Sequence, residues 1–279
     1  MTTAPARSSG YTFDPARMAP ADPPPHTTMQ SANPSPRWLL TCDHASNTVP
    51  AHMNALGLSA AELDRHIGWD IGAEGVARHM AATLDATLIF AEYSRLVIDL
   101  NRPLASPTLI PALADGTEVP GNTDISEAEI AARAEFFHAS YHGRIADELD
   151  QRLGRNEVPV LVAVHSFTPV FDNFHRPWQV GLLYEHDARL IAPLRAALLT
   201  ADPTLSIGDN EPYAIRGPSD YTIPVHGQGR GLPHIEIEIR QDLIANEAGQ
   251  QYWAMFLTDA LVAAVAAAAP LTLLPKTKA

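Results

Sequence analysis

Residues 158–171 read VPVLVAVHSFTPVF, and from Val160 to Val164 every position is apolar. A strand with one face in water alternates apolar and polar residues. A run that is apolar throughout belongs to a strand covered on both faces, as inside a parallel sheet. Such a strand needs helical neighbours in the sequence, because parallel pairs are joined by crossovers. Upstream, SEAEIAARAEFFHASYHGRIADELDQRLG (126–154) reads as one strong helix, capped by Ser126 with Glu129 three residues on. Downstream, WQVGLLYEHD (178–187) reads as a strand and ARLIAPLRAALLTAD (188–202) as an amphipathic helix.

The alternation continues outward in both directions. RWLLTC (37–42) is a short apolar strand, and Ser59 with Glu62 makes a capping box for a short helix. Ile71, Val76, Met80 and Leu84 give a helical stripe, so a longer helix is expected from about Asp70 to Leu84. TLIFAEYSRLVIDLNRP (87–103) reads as one or two strands closed by Pro103. HIEIEIRQDLI (234–244) alternates with period two, and QYWAMFLTDALVAAVAAAA (251–269) is a closing helix. Two long polar stretches, 104–123 and 207–233, read as loops, and loops of that length in a compact domain tend to carry function. Strands and helices in turn, without internal repeats, define an α/β protein with a largely parallel sheet.

Composition narrows the function. The chain has 279 residues, 46% of them hydrophobic, enough for one large α/β domain. The first 36 residues are rich in proline and poor in apolar periodicity, so they read as a disordered or draped extension. Residues 37–279 are then a single catalytic domain. No apolar run reaches membrane-spanning length, since Pro270 breaks the Ala-rich tail, and no secretory apolar core opens the chain. A cytoplasmic enzyme is the expectation. A net charge of −13 disfavours nucleic acid, yet a local pair of arginines can still bind a small anion at short range. The single cysteine, Cys42, excludes disulfide frameworks and Cys-rich zinc modules and reads as a buried strand residue.

The polar residues with chemistry gather at strand ends. TCDHASNTVP (41–50) follows the first apolar strand, and His165 follows VLVAV in the central one. A turn explains the first cluster on its own. Two histidines at the carboxyl ends of parallel strands can instead share one crevice. With an acid nearby they make a zinc site, which wants three N or O ligands and an open position. Asp43, Asn47 and Asp70 are the candidate third ligands. Asp43 adjoins His44 and points away from it, Asn47 is a poor ligand, and Asp70 opens the next helix, where N-capping is its competing role. Asp70 is preferred. His138 and His142 have helical i, i+4 spacing but lack the HExxH glutamate, so a packed helix face explains them. Glu236, Glu238 and Arg240 share one face of the alternating strand. Arg95 and Arg102 can grip a carboxylate, with an Arg95–Asp99 ion pair as the competing reading.

Six ordered motifs together carry a resemblance: TCDHASNTVP, HIGWDIGA, YSRLVIDLNRP, VAVHSFTP, GDNEPY and IEIRQDL. In this order and spacing, over about residues 38–265, the chain resembles the N-formylglutamate amidohydrolase family. The resemblance implies a three-layer α/β sandwich, a mostly parallel mixed sheet with helices on both faces, like zinc-dependent exopeptidases and amidases. It also implies hydrolysis of N-formyl-L-glutamate to glutamate and formate, a last step in one route of histidine breakdown. Zn2+, or another divalent ion, would be held by His44, Asp70 and His165. The exopeptidase pattern His-x-x-Glu would put a ligand at position 47, where this chain has Asn47. Glu238 would be the catalytic glutamate, and His226 would steady the developing oxyanion. Asn101 and Arg102 resemble the pair that grips a substrate carboxylate, with Arg95 and Arg240 as further substrate-side residues. The expected partner is a small anionic N-acyl amino acid. Two other functions compete: hydrolysis of another N-acyl amino acid or cell-wall amide, and non-catalytic binding of an acidic amino acid through Arg95 and Arg102.

Overall fold

The structure, a computed structural model, describes residues 9–215 and 219–275. Its main sheet has seven strands: β1 (His26–Met29), β2 (Trp38–Cys42), β3 (Thr87–Ala91), β6 (Val160–Phe167), β9 (Val180–Leu183), β10 (Ile207–Asp209) and β11 (His234–Arg240). Their spatial order is β1-β3-β2-β6-β11-β9-β10. The four central strands, β3, β2, β6 and β11, run parallel, while β1 and the β9–β10 pair run against their neighbours. Two small hairpins stand apart, β4 (Leu113–Ala114) with β5 (Thr117–Glu118), and β7 (Val170–Phe171) with β8 (Phe174–His175).

Side-chain parity along the strands assigns the faces. Leu40, Val160, Val162, Val164, Ile235, Ile237 and Ile239 pack with α2 (Ala73–Leu84), α5 (Ile191–Ala201) and α6 (Glu247–Ala267). Leu39, Ile89, Leu161 and Ala163 face the other way, against Tyr141, Ile145 and Leu149 of α4 (Ser140–Gly154). Two shorter helices, α1 (Ala60–Leu63) and α3 (Glu127–Arg133), complete the set. The result is an α/β sandwich with a mixed sheet between helical layers. The central run is buried at all eight positions, as its apolar sequence requires. The odd face of β6 ends in His165, and β11 turns Glu236 and Glu238, not its isoleucines, to that same side.

Several expectations change. Of the extension expected to be disordered or draped, residues 9–36 lie against the domain: Phe13 is buried in the core, and β1 is the edge strand of the main sheet, paired with β3. Edge strands tolerate flanking prolines because half their backbone groups need no ladder partner. Residues 1–8 lie outside the described residues. In the 87–103 segment only Thr87–Ala91 is strand. Ser94 and Asp99 side chains accept hydrogen bonds from the Leu96 and Asn101 backbone N–H groups instead, which favours turns over a ladder. The helix expected at Asp70 starts at Ala73, and the stretch 126–154 carries a π-helical turn at Ala134–Ala139 between α3 and α4. Strand β10 lies within what reads as a loop, being only three residues long.

Candidate active site

After β2 the chain crosses over through α2 to β3 on one side, and only later returns to place β6 on the other. Strand order therefore reverses at β2–β6, where open α/β sheets leave a crevice beyond their carboxyl ends. His44 stands two residues past β2, and His165 lies near the end of β6. Asp70 sits in the turn before α2, tied back by its N–H to the His44 carbonyl at 2.9 Å. Gly72 lets the chain leave that turn at φ +80, and a Cβ there would stand 2.1 Å from the Ile244 carbonyl oxygen.

The three side chains converge. One donor atom from each of His44, Asp70 and His165 lies within 4.8 Å of the others, and all three residues are buried. Asp70 Oδ2 is 3.4 Å from His44 Nδ1 and 2.8 Å from His165 Nδ1. The opposite edge of each ring faces another carboxylate. His44 Nε2 is 2.7 Å from Asp99 Oδ1, and His165 Nε2 is at ion-pair distance, 3.3 Å, from Asp43 Oδ2. Tyr141 donates to Asp43 at 2.6 Å, and Arg95 grips Asp99 through two nitrogens at 3.2 and 2.7 Å.

This arrangement fits a divalent cation. A carboxylate on Nε2 holds the ring proton there and leaves the Nδ1 lone pair as the donor. Two such lone pairs aimed at a carboxylate repel one another unless a positive charge sits among them, and an N,N,O set suits zinc and similar ions. The charge balance agrees. Burial would raise the Asp70 carboxyl, but the His44 and His165 rings outweigh it and hold the group well below the usual range. Burial would lower His165, yet Glu236, Asp43 and Asp70 raise it well above its ordinary value.

A cavity of about 470 Å³ opens over the cluster, lined among others by Arg95, Asn101, Arg102, Glu236 and Glu238. Glu238 lies opposite His165 in the β11–β6 register, and Glu236 lies one pair deeper, opposite Ala163. Each has an Oε2 with no partner although it is sealed from solvent. Burial pushes Glu238 up to about 7, against the pull of His165. Burial also raises Glu236 well above its usual range. An unpartnered buried carboxyl poised near neutrality is what proton transfer needs.

The arginines and remaining histidines are placed differently from their sequence readings. Arg95 lines the cavity, but its guanidinium is committed to Asp99 and lies near Asp70, so the ion-pair reading describes it. Asn101 accepts from the Tyr221 and Thr222 backbone N–H groups at 2.9 and 3.0 Å and so pins the second long loop to the cavity. Arg102 donates to the Ser219 carbonyl and sits 3.4 Å from Asp220. Arg240 and His226 do not line the cavity: Arg240 pairs with Asp242, and His226 stacks on His142 at 3.1 Å between ring nitrogens. His138 and His142 bond the carbonyls of Arg102 and Leu100 and form no metal group among the described residues. Asp70 does not cap α2, whose N-cap is Gly72. Asp43 and His44 lie in a turn just past β2, and Asp43 is no third ligand beside His44 but reaches the outer edge of His165. The sequence offers Asp43 as a candidate ligand and Asp99 as a candidate partner of Arg95, but their place behind the two histidine rings comes only from the fold.

The sequence profile of the N-formylglutamate amidohydrolase family matches residues 36–245. A gene product of Agrobacterium tumefaciens, known from its crystal structure, is 35% identical with a TM-score of 0.85, covering 90% of this chain and 98% of that one. An N-formylglutamate amidohydrolase from Ralstonia eutropha shares the fold at 19% identity and a TM-score of 0.55, covering 88% of this chain and 97% of its own. No curated protein sequence matches the chain. No helix among the described residues is long and apolar enough to cross a membrane. The profile match spans three quarters of the sequence, and the chain belongs to the N-formylglutamate amidohydrolase family.

Proposed function

We propose that the chain hydrolyses N-formyl-L-glutamate to L-glutamate and formate in a Zn2+-dependent reaction, as a cytoplasmic step of histidine degradation. The observation that carries this reading is the pairing of the His44–Asp70–His165 cluster with the unpartnered Glu238 carboxyl in one cavity. Family membership supports the amidohydrolase chemistry.

His44 Nδ1, Asp70 and His165 Nδ1 would hold the ion, with Asp99 and Asp43 keeping both rings oriented. A divalent ion there supplies Lewis-acid polarisation of the formyl oxygen and acidifies a water molecule. Glu238 takes the proton from the attacking water, whose oxygen forms the new bond to the formyl carbon. The C–N bond then breaks, and Glu238 returns the proton to the leaving amine nitrogen. Asn101 and Arg102 stand at the cavity wall where a carboxylate of the substrate would rest. Arg95 serves the ion site instead, by fixing Asp99.

The test is metal content measured beside formate release from N-formyl-L-glutamate. About one zinc per chain with chelator-sensitive release is the expected result. Bound metal without formate would redirect the search to other N-acyl amino acids. No metal and no turnover after zinc is added back would sink the hydrolase reading.

A further inference from the structure

Asn101 and Arg102 belong to a stretch of cavity wall that is neither strand nor helix, so its carbonyls need partners from elsewhere. Side chains supply them. The Asn101 carbonyl accepts from Arg102 Nη1 at 3.0 Å. The carbonyls on either side are held by two histidines one helical turn apart: His142 Nε2 donates to Leu100 at 2.7 Å, and His138 Nε2 to Arg102 at 3.0 Å.

These bonds fix the tautomers. A carbonyl only accepts, so His142 carries its proton on Nε2 and offers the Nδ1 lone pair. His226 Nε2, 3.1 Å from that nitrogen, is then the donor. Burial holds His142 well below its ordinary value and lowers His226 to about 4, which keeps both rings neutral and the bond intact near neutrality. His226 lies in the π-helical turn Ile223–Gly227, directly after Tyr221 and Thr222, whose N–H groups donate to the Asn101 side chain. His142 thus reaches both parts of this wall, the backbone through one nitrogen and the second long loop through the other. The ion site has separate anchors, since Asp99 is fixed by Arg95 and meets His44 directly.

We propose that His142 is a positioning residue: it sets Asn101 and Arg102 at the cavity wall and, through His226, latches the 219–227 loop onto them. It does not line the cavity and touches no reacting atom. The kinetic consequence rests on the reading that Asn101 and Arg102 receive a carboxylate of the substrate.

The test compares wild type, His142→Phe and His142→Gln in the metal-loaded protein. Phenylalanine fills the space of the ring and leaves the Leu100 carbonyl and the His226 N–H without partners. Hydrogen exchange across 219–227 should quicken at least ~10-fold in His142→Phe, with the distant helix α6 unchanged. KM for N-formyl-L-glutamate should rise ~10–100-fold, with kcat within about threefold and zinc content at the wild-type level. His142→Gln places an amide N–H where Nε2 stands, so it should recover most of the KM. A fall in kcat or zinc content at unchanged KM, exchange that quickens equally in α6, or a glutamine variant no better than phenylalanine would overturn the proposal. The exchange readout does not need turnover. Faster exchange confined to 219–227, with no formate released by wild type, would refute the substrate reading and leave the latch standing.

Discussion

Glu238→Gln separates catalysis from stability at a single atom, because the same carboxyl should aid one and harm the other. A positioned base contributes roughly 10²–10⁴ in rate, or about 2.7–5.5 kcal/mol of barrier. Glutamine keeps the shape and cannot accept the proton, so kcat should fall by that factor while zinc content stays at the wild-type level. Glu236→Gln should cost less, since Glu236 pairs with Ala163 and sits two residues, about 6.6 Å, back along β11. Stability moves the other way. Burial lifts Glu238 from its ordinary 4.5 to about 7 in the metal-free protein. An acid raised on folding costs stability that grows as pH climbs above the unfolded value and is complete above the folded one. Going from 4.5 to about 7 corresponds to roughly 3 kcal/mol. Metal-free Glu238→Gln should therefore unfold at higher urea than wild type at pH 8.5, with the gap closing toward pH 5. A bound dication pulls the carboxyl down, so the acid limb of kcat/KM in the loaded enzyme should lie below 7 and vanish in the variant. Kinetics of formate release, zinc analysis and urea melts at both pH values are the assays. A variant that keeps activity within fivefold, or that loses its zinc, would refute the assignment of Glu238 as base.

Three further outcomes follow from the same geometry. Asp99→Asn replaces the carboxylate 2.7 Å from His44 Nε2 and should weaken zinc affinity ~10–100-fold by competition with a chelator; unchanged affinity would remove Asp99 from the site. His44 and His165 are both raised in the metal-free protein: burial opposes it, but the surrounding carboxylates win. Their protons stabilise that form below the unfolded value and this stabilisation is lost as pH rises through the folded one, whereas zinc must displace them. Apparent zinc affinity should thus rise with pH above 6, up to about tenfold per pH unit per proton released, and calorimetry in two buffers should count the protons; zero release would contradict the ligand set. Arg152 is 1% exposed and holds Glu148, the Trp38 carbonyl and Thr87, so Arg152→Met should lower the unfolding free energy by roughly 3–5 kcal/mol, measured by urea.

The sheet was legible because its signal is local and redundant. Val160 to Val164 cannot sit in a half-wet strand, and parity along β11 already separates Ile235, Ile237 and Ile239 from Glu236 and Glu238. His44, Asp70 and His165 could be read as a group because each follows or precedes an element whose end is marked by a change from apolar to polar residues. Other features depend on contacts far apart in sequence. Nothing near His26 foretells that it pairs with Ala91, since strand pairing is a property of the partner. The spacing of Arg95 and Asp99 already offers their pair, but only the fold assigns Asp220, 118 residues away, to Arg102. His226 stands at the end of a long loop, and its contact with His142 lies 84 residues away.

The site's electrostatics also explain why these carboxylates are tolerated together. Asp43, Asp70, Asp99, Glu236 and Glu238 are all buried around the two histidines, and like charges at such range raise one another strongly. Asp99 is offset by Arg95, and Asp43 by the Tyr141 hydroxyl and the His165 ring. Asp70 has imidazole edges, the distal nitrogen of Arg95 and the Ser166 backbone N–H but no full counter-charge of its own, and Glu236 and Glu238 keep unpartnered oxygens. A protein selected only for stability would replace such groups by apolar ones of similar volume. Their retention in one crevice, at the point where strand order reverses, follows if a dication completes the charge balance and the two leftover carboxyls are kept for proton traffic. The same reasoning fixes the direction of selectivity. A net charge of −13 is screened within about 8 Å at physiological salt, so an anionic substrate is judged by the cations it touches and not by the surface it approaches.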